Sequence, residues 1–324
     1  MFPPEFDYYR ANGVEEAFDL LENHADADPV VLAGGHGLLP DLKTGAAAPG
    51  VAIDIGDIDG LRGIDAAPDG GLRVGALTTH AALASSDAAA THAPVLAEAA
   101  GEVGDVQVRN RGTVGGNLAE ADPSADLPAA AVAADATLVV RGRDGEREIP
   151  ADEFFAGDGD TALGDRELLT EIRVSGAENP DDDGRTGGAY AKKTHPATGY
   201  ALVGVAASLA VRDGTVTDPR LAASGVADAP VRLTAVEDAI AGTAEGELVG
   251  EDADSDALAA AAERAGETLD PADARSDVAA SGEFRLHLLG SYAERALAAA
   301  FDRATDRRAP RPAGCADSEV TCDE

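Results

Sequence analysis

Residues 30–40 read VVLAGGHGLLP, with Val30, Val31 and Leu32 running straight into Ala33-Gly34-Gly35-His36-Gly37 and then Leu38-Leu39-Pro40. The apolar triplet predicts a short strand, and the residues from Leu38 to Leu42 predict a helical turn. Glycines between them let the backbone turn sharply and approach a ligand closely. Successive N–H groups in such a turn form a nest for an anion, and a helix start beyond it adds its positive end. A pyrophosphate suits that chemistry. The string is not G-x-G-x-x-G, and its spacing does not fit a dinucleotide-binding Rossmann fingerprint. Taken alone it reads equally well as a strand–turn–helix without a ligand.

Working outward, Val14, Ala17, Phe18 and Leu21 fall at helical spacing before this loop. Val51, Ile53 and Ile55 alternate as a strand after it, as do Leu72, Val74 and Ala76. Helices are expected over 79–90 and 94–102. Residues 103–128, VGDVQVRNRGTVGGNLAEADPSADLP, are rich in Gly, Asn, Asp and Pro. So long a segment with little regular structure inside a domain is usually functional. Within it Thr113 and the N–H groups of Gly115 and Gly116 offer a second donor cluster, with φ > 0 expected at Gly116. Asn117 can donate and accept. Asp126 can accept from the hydroxyls of a ribose or ribityl chain. Two such loops suggest an extended ligand clamped at a diphosphate; two unrelated glycine turns are the alternative.

Strands resume at Thr137–Val140 and Leu168–Val174. The acidic stretch 176–188, GAENPDDDGRTGG, reads as a linker. Beyond it Val203, Val205, Ala207, Leu209 and Val211 alternate in a half-buried strand, with Leu221–Val231 its partner. Helices are expected near 234–242, 255–267 and 283–303, and residues 304–324 are expected to be disordered.

Composition narrows the function. Sixty acidic against 25 basic residues give a net charge of −35. Such a surface repels nucleic acid and anionic lipid. An apolar content of 44% with clear periodicity argues against disorder. The balance fits a folded protein of a high-salt cytoplasm, where carboxylates stay hydrated and counterions screen their repulsion. No apolar run is long enough to span a membrane. The opening Met1–Phe6 lacks the basic and apolar regions of a signal peptide, so a cytoplasmic location is expected. Lysine occurs only at Lys43, Lys192 and Lys193; the adjacent pair invites a site-level explanation beside that of chance surface residues. Cys315 and Cys322 are the only cysteines, too few for an iron–sulfur cluster that needs four. Any redox metal must therefore sit on another chain. G-x-S-x-G, H-E-x-x-H and P-loop motifs are absent.

Four stretches together, FPPEFDYYRANGVEEAFDLL (2–21), LAGGHGLLPDLK (32–43), DVQVRNRGTVGGNLAEADPSADLPAA (105–130) and KKTHPATGYALVGVAAS (192–208), resemble the medium, flavin-binding subunit of molybdenum hydroxylases of the carbon monoxide and xanthine dehydrogenase type. The resemblance implies an α+β fold: an FAD-binding domain of two α/β subdomains over 1–176, and a C-terminal domain over 187–303 with a small antiparallel sheet and helices. It implies FAD as cofactor, with Leu32, Ala33, Gly34, Gly35, His36, Gly37, Leu38 and Leu39 along the diphosphate. Thr113, Val114, Gly115, Gly116 and Asn117 would bind it from the other side. Asp126 would contact the sugar chain, Leu168 would pack near the flavin, Lys192 would lie by the isoalloxazine, and Tyr200 would cover one ring face. No catalytic residue or metal ligand is implied on this chain. Electrons would arrive from a small iron–sulfur subunit, served by a large molybdopterin subunit, in a heterotrimer that can itself dimerise. FAD would hand them to an external acceptor. A self-contained FAD-dependent oxidase or dehydrogenase of the same superfamily is the alternative. Gly37 departs from the family, which usually has Ser there. The lost hydroxyl removes a phosphate hydrogen bond of about 1.5–3 kcal/mol, so Gly37→Ser is expected to be neutral or to tighten binding.

Overall fold

The computed structural model describes residues 2–176, 185–248 and 257–305. Its first layer is a parallel sheet of three strands, Asp7–Arg10 (β1), Pro29–Leu32 (β2) and Val51–Asp54 (β3), in the order β1-β3-β2. Helix α1 (Val14–Asn23) crosses between β1 and β2, burying Ala17, Phe18 and Leu21, and α2 (Leu38–Thr44) crosses between β2 and β3. All four residues of β3 are buried, because a central parallel strand is covered on both faces. The alternation expected at residues 51–55 is therefore not what organises this strand.

The second layer is antiparallel. Strands β4 (Ile64–Ala66) and β5 (Leu72–Gly75) precede six helices: α3 (His80–Ala84), α4 (Asp87–His92), α5 (Pro94–Glu102), α6 (Val106–Arg109), α7 (Val114–Glu120) and α8 (Asp126–Ala133). Strands β6 (Thr137–Gly142) and β7 (Gly145–Pro150), a helical turn α9 (Ala151–Phe154), a two-stranded ribbon of β8 (Phe155–Gly157) and β9 (Asp160–Thr161), and β10 (Leu168–Val174) follow. The sheet order is β4-β5-β10-β6-β7. Every residue of the alanine-rich α8 is buried, as expected of a helix apolar on all sides. Two expectations change here. The segment 103–128 holds two short helices and the start of α8; Asp105 and Thr113 each cap one of the short helices with a side-chain oxygen. The helix expected over 79–90 is broken at Ser85, and Ser86 caps a new one.

The C-terminal domain is an antiparallel sheet of β11 (Arg185–Thr194), β12 (Ala201–Arg212), β13 (Thr215–Ser224) and β14 (Val231–Arg232), hydrogen-bonded in chain order. The partner of β12 thus begins at Thr215, ahead of the expected Leu221. Helices α10 (Thr234–Ile240), α11 (Glu245–Leu248), α12 (Ala257–Glu263) and α13 (Gly282–Thr305) complete it. Val203, Val205, Ala207, Leu209 and Val211 face its own core, while Ala206 and Ala222 join the core of the second layer. The sheet is thus buried on both faces. Residues 185–188, expected at the end of a linker, lie inside β11. A side chain on Gly187 would overlap the Ala300 carbonyl of α13, and one on Gly188 would stand 3.0 Å from Pro94 and Val95 of α5. The glycine pair lets one strand lie against both helices. The remainder of the expected linker (177–184), the start of the helix expected at 255, and tail residues 306–324 with both cysteines lie outside the described residues.

Candidate functional site

The two glycine loops, far apart in sequence, meet backbone to backbone. A Cβ on Gly34 would stand 2.6 Å from the Arg111 carbonyl oxygen and 2.8 Å from the Gly112 Cα. Gly35 has φ of 76°, a left-handed conformation that glycine adopts without strain. Gly37 directly precedes α2. Among the described residues, the N–H groups of Gly34, Gly35, His36 and Gly37 donate to no protein acceptor. Four successive amides without a partner are what an anion nest requires. Leu32, Ala33 and Leu38 are half-buried around them, and His36 and Leu39 are exposed.

The second loop differs from the donor cluster expected of it. The N–H of Val114 bonds the Thr78 carbonyl, that of Gly115 bonds the Ala76 carbonyl, and that of Gly116 bonds the Thr113 hydroxyl at 3.2 Å. These donors are already satisfied, because the loop is the first turn of α7 and is docked on the end of β5. Gly115 is held by close approach: its Cβ would stand 2.5 Å from the Ala76 Cβ. Gly116 is helical, without the positive φ expected of it. Two polar groups remain for a ligand. The Asn117 Oδ1 is buried with no hydrogen-bond partner, and Arg111, beside the loop, has no carboxylate partner among the described residues. A cleft of about 200 Å³ opens between the loops, lined by Ala33, Thr113 and Arg111 together with Arg10, Asp54 and Arg62.

Asp126 and Lys192 are brought together, but on each other. The Lys192 Nζ lies 2.9 Å from Asp126 Oδ2, and their side chains are 2% and 4% exposed. The ammonium also donates to the Glu102 carbonyl at 2.8 Å, and the Tyr190 hydroxyl donates to Asp126 Oδ1 at 2.6 Å. This triad joins α8 to β11 across the domain boundary. Burial pushes Asp126 up to about 6, against the pull of Lys192 and Tyr190. The partners expected for these two residues were a sugar chain and a flavin ring; the protein itself supplies their partners. Leu168 sits in the buried cluster of Ile53, Ile55 and Leu77 rather than on the cleft.

Tyr200 ends the hairpin turn between β11 and β12, where the His195 N–H bonds its carbonyl at 2.8 Å and Gly199 has φ of 77°. The residue is 40% exposed. The turn is anchored to the chain just after the second loop. Ser124 accepts from the Ala201 N–H at 3.1 Å, and Pro123 accepts from the Gly225 N–H at 2.7 Å. Desolvation, followed by the charges of Asp122, Glu120 and Asp41, pushes the Tyr200 phenol up to about 12. Burial, with smaller contributions from His36 and Arg109, pushes His80 down to about 4, so the imidazole that packs on Gly112 is neutral. Sequence reasoning missed Tyr190, Glu120 and the cleft arginines. None lies in a glycine motif, and only Arg111, next to one, carried a positional signal.

Similarity to known proteins agrees with this geometry. The model for the FAD binding domain in molybdopterin dehydrogenase matches residues 4–175, and that for the CO dehydrogenase flavoprotein C-terminal domain matches residues 188–300. The chain is 36% identical to the carbon monoxide dehydrogenase medium chain of Hydrogenophaga pseudoflava, covering 94% of this chain and 99% of the relative. It is 30% identical to the xanthine dehydrogenase FAD-binding subunit of Escherichia coli O157:H7, over 90% of this chain and 95% of the relative. A solved structure of the Hydrogenophaga carbon monoxide dehydrogenase, in a form lacking the Mo-pyranopterin moiety of the molybdenum cofactor, superposes with a TM-score of 0.83 at 37% identity, covering 94% of this chain and 99% of that one.

Proposed function

The chain belongs to the FAD-binding medium-subunit family of the molybdenum hydroxylases, and from that premise we propose that it is the electron-relay subunit of such a complex. It is an oxidoreductase subunit, and its cofactor is FAD. In the proposed arrangement a small iron–sulfur chain supplies electrons drawn from substrate on a large molybdopterin chain. Bound FAD supplies two-electron redox chemistry and delivery to an external acceptor.

The observation that carries the reading is the row of free amides at residues 34–37, packed on the second loop beside an unpaired Arg111. We assign the diphosphate to these amides and to Arg111, with Thr113 and the unpartnered Asn117 oxygen beside it. Leu32, Ala33, Leu38 and Leu39 would flank it, and Val114, Gly115 and Gly116 would support it from behind. The exposed Tyr200 ring would cover one flavin face. Asp126 and Lys192 would hold the two domains in register behind the site, and Leu168 would support it from the core. No described helix is long and apolar enough to cross a membrane. A high-salt cytoplasm is the proposed setting, on the net charge of −35.

The test is a complex purified through this chain. It should contain an iron–sulfur chain and a molybdopterin chain and should release FAD on acid precipitation. Removing the flavin should stop reduction of an external dye while leaving cluster reduction by substrate intact. Turnover of a small substrate by this chain alone with FAD would overturn the relay reading.

A further inference from the structure

A side chain built on Gly37 would start inside the carboxylate of Glu120, the last residue of α7. The two loops are therefore linked at a second point: the glycine of the first leaves room for the acid that ends the helix of the second. A serine at position 37 would have to begin its side chain where this carboxylate lies. Asp122 from the following turn and Asp41 from α2 face Glu120, and Tyr200 from the β11–β12 hairpin lies within the same group of charges. Among the described residues no lysine or arginine pairs with it. An exposed carboxyl group thus sits without a cationic partner against Gly37, the last of the four residues whose amides are free for an anion.

We propose that Glu120 is a positioning residue that sets FAD affinity: its carboxylate lies over Gly37, and the diphosphate seats once that group has taken up a proton or swung aside. The inference rests on the FAD reading above. Desolvation and the charges of Asp122 and Asp41 already push Glu120 up to about 7. An incoming phosphate raises it further, since like charges disfavour each other's ionised forms. Binding then takes up a proton when the pH lies above the value of the flavin-free protein. Affinity should be level below about pH 7 and should fall by up to about tenfold per pH unit above it. Neighbouring groups do not produce the same profile. The Tyr200 phenol, at about 12, and the His80 imidazole, at about 4, lie outside the window.

The experiment uses the full-length chain with whatever chains copurify, stripped of flavin and titrated with FAD at fixed ionic strength between about pH 6 and about pH 9. Glu120→Gln should bind FAD with little pH dependence and about tenfold more tightly than wild type near pH 8. Gly37→Ser should weaken binding in the wild-type background but not in Glu120→Ala, a coupling that a double-mutant cycle reads directly. Parallel pH profiles for wild type and Glu120→Gln, or an equal Gly37→Ser effect in both backgrounds, would overturn the proposal. If neither protein bound FAD at any pH, the cofactor reading itself would fail and take this inference with it.

Discussion

Gly34 and Gly112 lie so close that a methyl group on the first would stand 2.8 Å from the Cα of the second. The neighbouring atoms are backbone and cannot rotate away. Gly34→Ala must therefore separate the loops, at a cost of about 1–3 kcal/mol typical of overpacking. The expected result is a folded chain with a slightly lower melting temperature that has lost most of its FAD. Flavin content per chain, measured beside circular dichroism, checks it. Full occupancy in a stable variant would separate the loop contact from cofactor binding.

Gly115 and Gly116 should not respond alike. An added methyl at 115 meets Ala76, whose Cα and carbonyl oxygen would be 2.9 Å away, so Gly115→Ala should disturb the docking of α7 on β5. At 116 the nearest obstacle is the Thr113 hydroxyl, 2.7 Å away, which can turn. Losing that cap costs about 1 kcal/mol. Denaturant titration should therefore rank Gly115→Ala as the more destabilised. The reverse order would mean that α7 is seated differently.

Breaking the Lys192–Asp126 pair should act on stability first. Lys192→Ala leaves a buried carboxylate facing Tyr190 alone, a loss of about 3–5 kcal/mol for this kind of change. The pH dependence follows from the direction of the shift. The folded-state value of Asp126, about 6, lies above that of an unfolded chain, so the folded protein holds the extra proton between the two. The contribution of Asp126 therefore falls as pH rises from about 4 to 6 and is level above that window. Without Lys192 the decline should continue to higher pH. Chemical denaturation of wild type and variant across that range is the check. A variant as stable as wild type at neutral pH would argue against the pair.

Tyr200→Ala should spare FAD binding, because the proposed diphosphate contacts are elsewhere. It should raise the emission of the bound flavin, which a stacked phenol quenches. Unchanged emission at full occupancy would place the ring away from the flavin.

Gly37→Ser marks where sequence and structure part. Read from the sequence, the serine restores a hydroxyl and is harmless; in the folded chain it meets Glu120, a residue distant in sequence that no motif singles out. The same limit applies to Asp126 and Lys192. Their residue types were legible as polar site candidates, but their closure on each other depends on how α8 packs against β11. The second loop was legible as a glycine turn. That its amides are already bonded depends on Thr78 and Ala76, which the fold brings to it.

What the sequence determined by itself was whatever depends on neighbours along the chain. The apolar spacing of residues 14–21 makes α1, the glycines after Leu32 make the turn, and the alternation from Val203 to Val211 makes β12 with its core face. Two cysteines are too few to ligate a four-cysteine cluster for the same reason, since composition needs no fold. The tertiary structure alone decided which amides stay free, which carboxylates are paired, and that Gly187 and Gly188 admit helices on both sides of β11. The physical reason is that hydrogen-bond satisfaction, desolvation and close approach are properties of atoms in contact. In this protein those contacts join residues that the chain keeps far apart.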